Sequence, residues 1–99
     1  MALYVVTGVH LDARGRVVRA RMQRANGATN ALHGQPQERE AHEIANMIAT
    51  GVEIHSVFIV PGGTVPGPKF RSVVFANGSE GIELEQDVPG RRVQDLFLF

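Results

Sequence analysis

The sequence predicts a single α+β domain, residues 1-99, in which a mostly antiparallel five-stranded sheet carries one helix on one face. Stretches rich in β-branched and aromatic residues recur along the 99 residues and alternate with turn-forming residues. Only one stretch repeats apolar residues at helical spacing. A chain of this length is typical of one domain with a modest core. The predicted order is ββαβββ.

The first two strands form a predicted hairpin. Leu3–Leu11 is β-rich, Asp12–Gly15 supplies a turn, and the chain returns through Arg16–Met22. Alternation places Val18 and Met22 in the core, although the doublet Val17-Val18 interrupts it and predicts a bulge or a buried pair there. Residues 24–35 have no periodicity and are predicted to be a loop.

A helix is predicted from Pro36 to Thr50. Pro36 suits the first helical position, and two glutamates in the first turn favour the positive end of the helix dipole. Gly51 follows as a C-terminal cap. One apolar stripe is formed by Ala41, Ile44, Ala45 and Ile48.

The second half contains the remaining three strands. Val52–Val60 is the third strand, and residues 61–68 are predicted to be a loop because they hold three of the five prolines. Phe70–Ala76 and Gly81–Gln86 form a predicted hairpin that pairs Val73 with Leu84 and Phe75 with Ile82. The predicted core comprises Val5, Val9, Val18, Met22, Ile44, Ile48, Ile54, Phe58, Val73, Phe75, Ile82 and Leu84.

Four segments carry a family resemblance: Tyr4–Thr7 with Gly15–Val17, then Glu43–Gly51, Val73–Gly78 and Asp87–Leu96. Through them the chain resembles a family of small bacterial domains of unknown function. The family's Asp-Asn-Leu step is reduced here to Asp95-Leu96. The resemblance implies a compact α+β fold and no particular activity.

Composition excludes several classes of protein. The chain has no cysteine, which excludes disulfide frameworks and thiolate metal sites. The longest apolar run, Val57–Val60, is far shorter than the roughly 20 residues of a transmembrane helix. The first residues lack the pattern of a signal peptide. We therefore expect a cytoplasmic protein with no membrane partner.

Motifs for catalysis and cofactors are absent from the sequence. No glycine-rich nucleotide motif occurs, so we expect no cofactor. His55 and Ser56 are strand neighbours and point to opposite faces, so they cannot form a dyad. Glu38 and His42 lie four residues apart and, with Glu43, are the best metal-ligand candidates. A metal-dependent or hydrolase-like enzyme is the third functional option.

Arginine is concentrated near the start of the chain. Residues 1–37 carry five basic residues against one acid, and the rest carries five against nine, which cancels the net charge. Two of the arginines, Arg19 and Arg21, would project about 7 Å apart from one strand face, close to the spacing of phosphates in nucleic acid. Pairing with Glu53, Glu83 or Glu85 is the alternative. The candidate nucleic-acid-binding residues are Arg14, Arg16, Arg19, Arg21 and Arg24.

The last four residues, Leu96, Phe97, Leu98 and Phe99, are the candidate partner contacts. Their burial is worth several kcal/mol (roughly 1.5–3 kcal/mol per side chain), which predicts that they pack over the sheet, within the monomer or across a two-fold dimer interface. The leading functional hypothesis is a non-catalytic binding or assembly module. Nucleic-acid binding through the arginine-rich hairpin is the alternative.

Overall fold

The computed structural model describes residues 3–25 and 32–99. Within these residues it contains seven strands, one α-helix and one 3₁₀ turn. In chain order they are β1 (Leu3–Leu11), β2 (Val17–Ala25), β3 (Leu32–Glu40), α1 (Ala41–Ala49), β4 (Glu53–Val60), β5 (Gly63–Val74), β6 (Glu80–Leu84), the 3₁₀ turn (Val93–Asp95) and β7 (Phe97–Leu98).

In the described residues the strands form a mixed, curled sheet of seven strands and not the predicted five, and four of its six strand pairs are antiparallel. The order is β3-β2-β1-β4-β5-β6, and β7 pairs with β1. β1 runs parallel to both β4 and β7, whereas the other neighbours are antiparallel. The prediction of one α+β domain with a single helix is confirmed for the described residues, but the element order is βββαβββ with β7 added.

The predicted loop at 24–35 is largely strand. Residues 24 and 25 end β2, and β3 pairs with β2 from Leu32 onward; only residues 26–31 of this prediction lie outside the described residues. β3 is an edge strand that is exposed at every position whose burial is described. Pro36 sits where the β2–β3 register shifts, and an edge strand with such an irregularity tolerates proline.

The helix is shorter than predicted, because residues 36–40 belong to β3. It begins at Ala41, and the N–H of Glu40 donates to Oε1 of Glu43 at 3.2 Å across the first turn. Gly51 ends it in the left-handed region with φ +98°. Its buried residues, Ala41, Ile44 and Ala45, belong to the predicted apolar stripe, and the helix packs on β5 and β6.

The predicted loop at 61–68 is also mostly strand. β4 and β5 form a hairpin that pairs Val60 with Gly63, so Pro61 and Gly62 alone make the turn. Pro66 and Pro68 lie in the part of β5 that precedes its pairing with β6, which begins at Phe70. Since β5 has only one strand neighbour there, the prolines remove no ladder hydrogen bond on that open side.

The β5–β6 hairpin has a different register from the predicted one. Val73 pairs with Gly81, not Leu84, and the turn closes with the N–H of Phe75 donating to the Ser79 carbonyl at 2.9 Å. Phe75 lies beyond the strand and its ring covers Gly81, where a Cβ atom would stand 2.5 Å from the ring. Because Gly81 has no side chain, the Phe75 ring can pack directly over it.

Most predicted core residues are buried or half-buried, and Val18 is the exception. A bulge between the pairs His10–Arg19 and Leu11–Val17 turns Val17 inward and leaves Val18 43 % exposed. Leu96, which was assigned to a partner contact, is instead part of the core at 4 % exposure. In residues 3–25 and 32–99, no helix has the length and apolarity needed to cross a bilayer.

Candidate binding face

Helix α1 covers one side of the sheet, and the opposite side is called the helix-free face. Its side chains alternate along each strand with the buried core residues, as Arg21 does between Ala20 and Met22. On this face lie His10 of β1, Arg19 and Arg21 of β2, Glu53 and His55 of β4, and Phe97 of β7.

The tail docks on its own chain, as a strand beside β1 and not as a layer over the sheet. Phe97 pairs with Gly8, and the N–H of Phe99 donates to the Val9 carbonyl at 3.1 Å. A Cβ atom on Gly8 would stand 3.1 Å from the Phe97 oxygen and 3.2 Å from its Cδ2. The missing side chain therefore lets the tail approach β1 closely, while Leu96 anchors it in the core.

Arg21 joins the two phenylalanines into an aromatic–arginine cluster, which consists of His10, Arg21, Phe97 and Phe99. Its guanidinium carbon lies 5.7 Å from the ring centroid of Phe97 and 4.8 Å from that of Phe99, within the range of cation–π attraction. His10 donates from Nδ1 to the main-chain oxygen of Phe99. Phe97 remains 50 % exposed, so this ring is accessible from solvent.

The five candidate arginines do not form one patch. Arg19 shares the helix-free face with Arg21, two residues along β2. Arg24 continues the opposite, core-side line of Ala20 and Met22, and Arg14 and Arg16 lie at the tip of the first hairpin. There the guanidinium carbon of Arg16 stacks 4.1 Å from the centroid of Phe75.

Two of the three acids proposed as partners for these arginines, Glu53 and Glu83, are paired elsewhere. Glu53 binds Lys69 at 3.6 Å, and Arg71 donates from Nε to Glu83 at 2.9 Å. Arg21 instead donates from Nη2 to Glu38 at 3.3 Å. Within the described residues, no ion pair involves Arg14, Arg16, Arg19 or Arg24.

Two shallow clefts meet at Arg16 and Phe75. The larger, of about 460 Å³, lies between the first hairpin turn, the start of α1 and the β5–β6 turn, and the second measures about 290 Å³. The larger cleft is lined by acids (Asp12, Glu40 and Glu80) as well as by Arg14 and Arg16. This mixture of charges favours no single ligand class.

Asp12 organises the turn beside this cleft. The N–H groups of Arg16 and Arg14 donate to its Oδ1 at 3.0 and 2.9 Å. These bonds, that from Arg16 most of all, favour the charged carboxylate and lower the pKa of Asp12 below its ordinary value of 3.8.

We therefore expect the Asp12 carboxyl to titrate with a midpoint below 3.8 in the folded protein. Because the folded-state pKa is the lower one, the stability that these bonds contribute is fully present above the unfolded value and is lost as the pH falls through the folded value. Carbon-detected NMR of the Asp12 carboxyl between pH 2 and 6 measures this. A midpoint at or above the ordinary value would contradict the assignment.

The metal-ligand candidates are only partly brought together. Glu38 lies on β3, away from the helix, and pairs with Arg21. Potential ligand atoms of Glu40, His42 and Glu43 do lie within 4.8 Å of one another, all exposed. However, the Glu43 carboxylate already accepts the Glu40 N–H and pairs with Arg39 at 3.6 Å. The arrangement is that of a capped helix start.

The prediction that His55 and Ser56 point to opposite faces of one strand is confirmed. Ser56 is fully buried and donates to the Pro68 carbonyl at 2.7 Å, while His55 lies on the helix-free face. The buried hydroxyl therefore holds β5 against β4 and does not meet the imidazole.

Sequence reasoning treated the arginines of β2 and the C-terminal phenylalanines as two separate sites, and it did not predict that they lie together. The alternation of leucine and phenylalanine in residues 96–99 is the signal that could have placed Phe97 and Phe99 on one side of a strand. Comparison with protein-family models, curated proteins and solved structures finds no match to this chain.

Proposed function

We propose that the protein is a non-catalytic binding module and that single-stranded nucleic acid is its ligand, bound on the helix-free face. One observation carries the proposal: the tail docks beside β1 and places the Phe97 and Phe99 rings within cation–π distance of Arg21, which projects with Arg19 from the neighbouring strand β2. Aromatic rings next to basic groups on an open surface are the two components that single-strand binding uses.

The rings supply the stacking component. Phe97 and Phe99 are two residues apart in an extended segment, so they lie on one side of it and about 7 Å apart. Unpaired bases stack on such rings, and each stacked base contributes about 1–3 kcal/mol independently of sequence. Phe97 is exposed and Phe99 is half-buried, and such a pair of rings suits two successive unpaired nucleotides and not a duplex, whose bases are already stacked.

Arg19 and Arg21 supply the phosphate component. Since the protein has no net charge, we expect weak binding, with a Kd of tens of micromolar at low salt. Two phosphate contacts on a single strand predict a slope of about −1.4 for log K against log salt concentration. This shallow slope distinguishes the proposed mode from binding by a general basic surface.

Fluorescence anisotropy with a labelled twelve-nucleotide oligothymidylate tests the proposal. We expect the double variant F97A/F99A to bind at least about tenfold more weakly, because two stacking contacts are lost. Leu98→Ala is the matched control, since Leu98 lies between the two rings in sequence, is 51 % exposed and points to the other side of β7. A wild-type Kd above about 100 µM at low salt, weaker than non-specific binding, rejects the function.

Assembly with another protein is the second candidate function, and one observation favours it. Ile59 is 63 % exposed on β4, two residues along the helix-free line from Val57. With the half-buried Val57 it presents an apolar strip on this face, and exposed apolar patches mark contact sites. Sedimentation equilibrium tests this: a dimer that Ile59→Asp converts to monomer supports assembly, and a monomer up to about 1 mM excludes self-association.

A further inference from the structure

We propose that Glu38 controls ligand access to the aromatic–arginine cluster by holding Arg21 over the two rings. The inference rests on the proposed function, because it concerns the affinity of that same face for a single strand. It assigns a positioning role to a residue that sequence reasoning considered as a first-turn helix residue and as a metal ligand.

The sheet register carries the geometry. Glu38 pairs with Arg21, Arg21 with Gly8, and Gly8 with Phe97, so these four residues form one row across β3, β2, β1 and β7. Because Gly8 has no side chain, the row is open between Arg21 and Phe97. The long side chain of Arg21 can therefore reach the rings across β1.

Arg21 is consequently engaged from two sides. Its Nη2 lies 3.3 Å from the Glu38 carboxylate, and its guanidinium carbon lies 4.8 Å from the Phe99 ring centroid. A stacked base needs a ring face that Arg21 now covers, and a phosphate needs the guanidinium that Glu38 now binds. Binding thus exchanges the Glu38 carboxylate for a phosphate, to which the same planar guanidinium donates equally well.

The exchange predicts the effect of removing the carboxylate. We expect Glu38→Gln to bind the oligothymidylate about fivefold more tightly than wild type, since Arg21 no longer has a competing acid. Arg19 and Arg21 make the same two phosphate contacts in both proteins, so we expect the salt slope to stay at about −1.4.

Glu53→Gln is the matched control. Glu53 lies on the same face, is paired with Lys69 at 3.6 Å and is 38 % exposed against 45 % for Glu38. The variant removes the same charge but leaves the row from Glu38 to Phe97 unchanged. We therefore expect it to change the affinity for the oligothymidylate by less than about twofold. Equal tightening by both variants would show a general charge effect and overturn this inference alone.

The side-chain Nε–Hε resonance of Arg21 gives a readout that needs no ligand. It lies beside two aromatic rings, so we expect its ring-current shift to change in Glu38→Gln and to be unchanged in Glu53→Gln. An unchanged Arg21 resonance in Glu38→Gln overturns the positioning role even if affinity rises. If neither wild type nor Glu38→Gln binds the oligonucleotide, the proposed function fails and this inference fails with it.

Discussion

Gly67→Ala is expected to lower the melting temperature by about 20 °C, corresponding to roughly 4 kcal/mol for a domain of this size. Its Cβ atom would overlap the Ser56 hydroxyl and the Phe58 ring, standing 2.8 Å from Phe58 Cδ1. Both neighbours are almost completely buried, so neither can move without disturbing the core. The substitution adds overpacking of about 1–3 kcal/mol to the loss of a buried hydrogen bond from Ser56 to Pro68.

Gly62→Ala is the control for this glycine. Gly62 has φ +89° in the β4–β5 turn, and nothing lies within 4 Å of an added Cβ atom. An alanine in this left-handed conformation costs about 1 kcal/mol of strain. We therefore expect the larger loss of stability at Gly67, although the backbone of Gly67 is ordinary. Thermal unfolding of both variants decides the matter, and a smaller loss at Gly67 than at Gly62 would contradict the packing described.

Leu96→Ala is expected to lower the free energy of unfolding by about 3 kcal/mol. Leu96 is 4 % exposed and belongs to the main core cluster, although it lies only three residues from Phe99. Its truncation leaves a cavity under the tail and removes the anchor that keeps β7 beside β1. Urea unfolding monitored by circular dichroism measures the loss.

Leu98→Ala distinguishes anchoring by the side chain from docking by the backbone. Leu98 is 51 % exposed although it pairs with Val9, so we expect a loss of about 0.5 kcal/mol or less. If Leu96→Ala lowers the free energy of unfolding by as little as Leu98→Ala does, the backbone pairing and not the Leu96 side chain holds the tail.

Local residue patterns predicted the elements that face the core on one side. The stripe of α1 and the alternation in β1, β2 and β4 follow directly from burial, because a buried face must be apolar at the period of its element. The same rule misplaced Val18, since a bulge changes which residue of a doublet points inward. Nothing local decides between Val17 and Val18; the pairing with His10 and Leu11 does.

Strand β3 and the first part of β5 were missed for a related reason. β3 is exposed throughout its described positions, so it shows no apolar alternation. Pro36 and the glutamates that follow it match the sequence pattern of a helix start equally well. In β5, Pro66 and Pro68 resemble a loop until one knows that this stretch has a partner on only one side. Both assignments depend on neighbours in space.

The candidate site depends on pairings between distant segments. Sequence reasoning found Arg21 and the phenylalanines separately. The parallel pairing of β1 with β7 brings Phe97 to Gly8, and no local pattern in either segment specifies that register.

The pairing of β1 with β7 also has a consequence for the order of folding. The bond from His10 to Phe99 joins residues 89 positions apart, and contacts of such separation form late because the loop they close is long. The short β7 adds only two residue pairs to the ladder, so we expect its amides to exchange hydrogen early, through local opening that leaves the rest of the sheet folded. The aromatic–arginine cluster therefore exists only in molecules whose chain has closed completely, and binding on this face would stabilise the closed state.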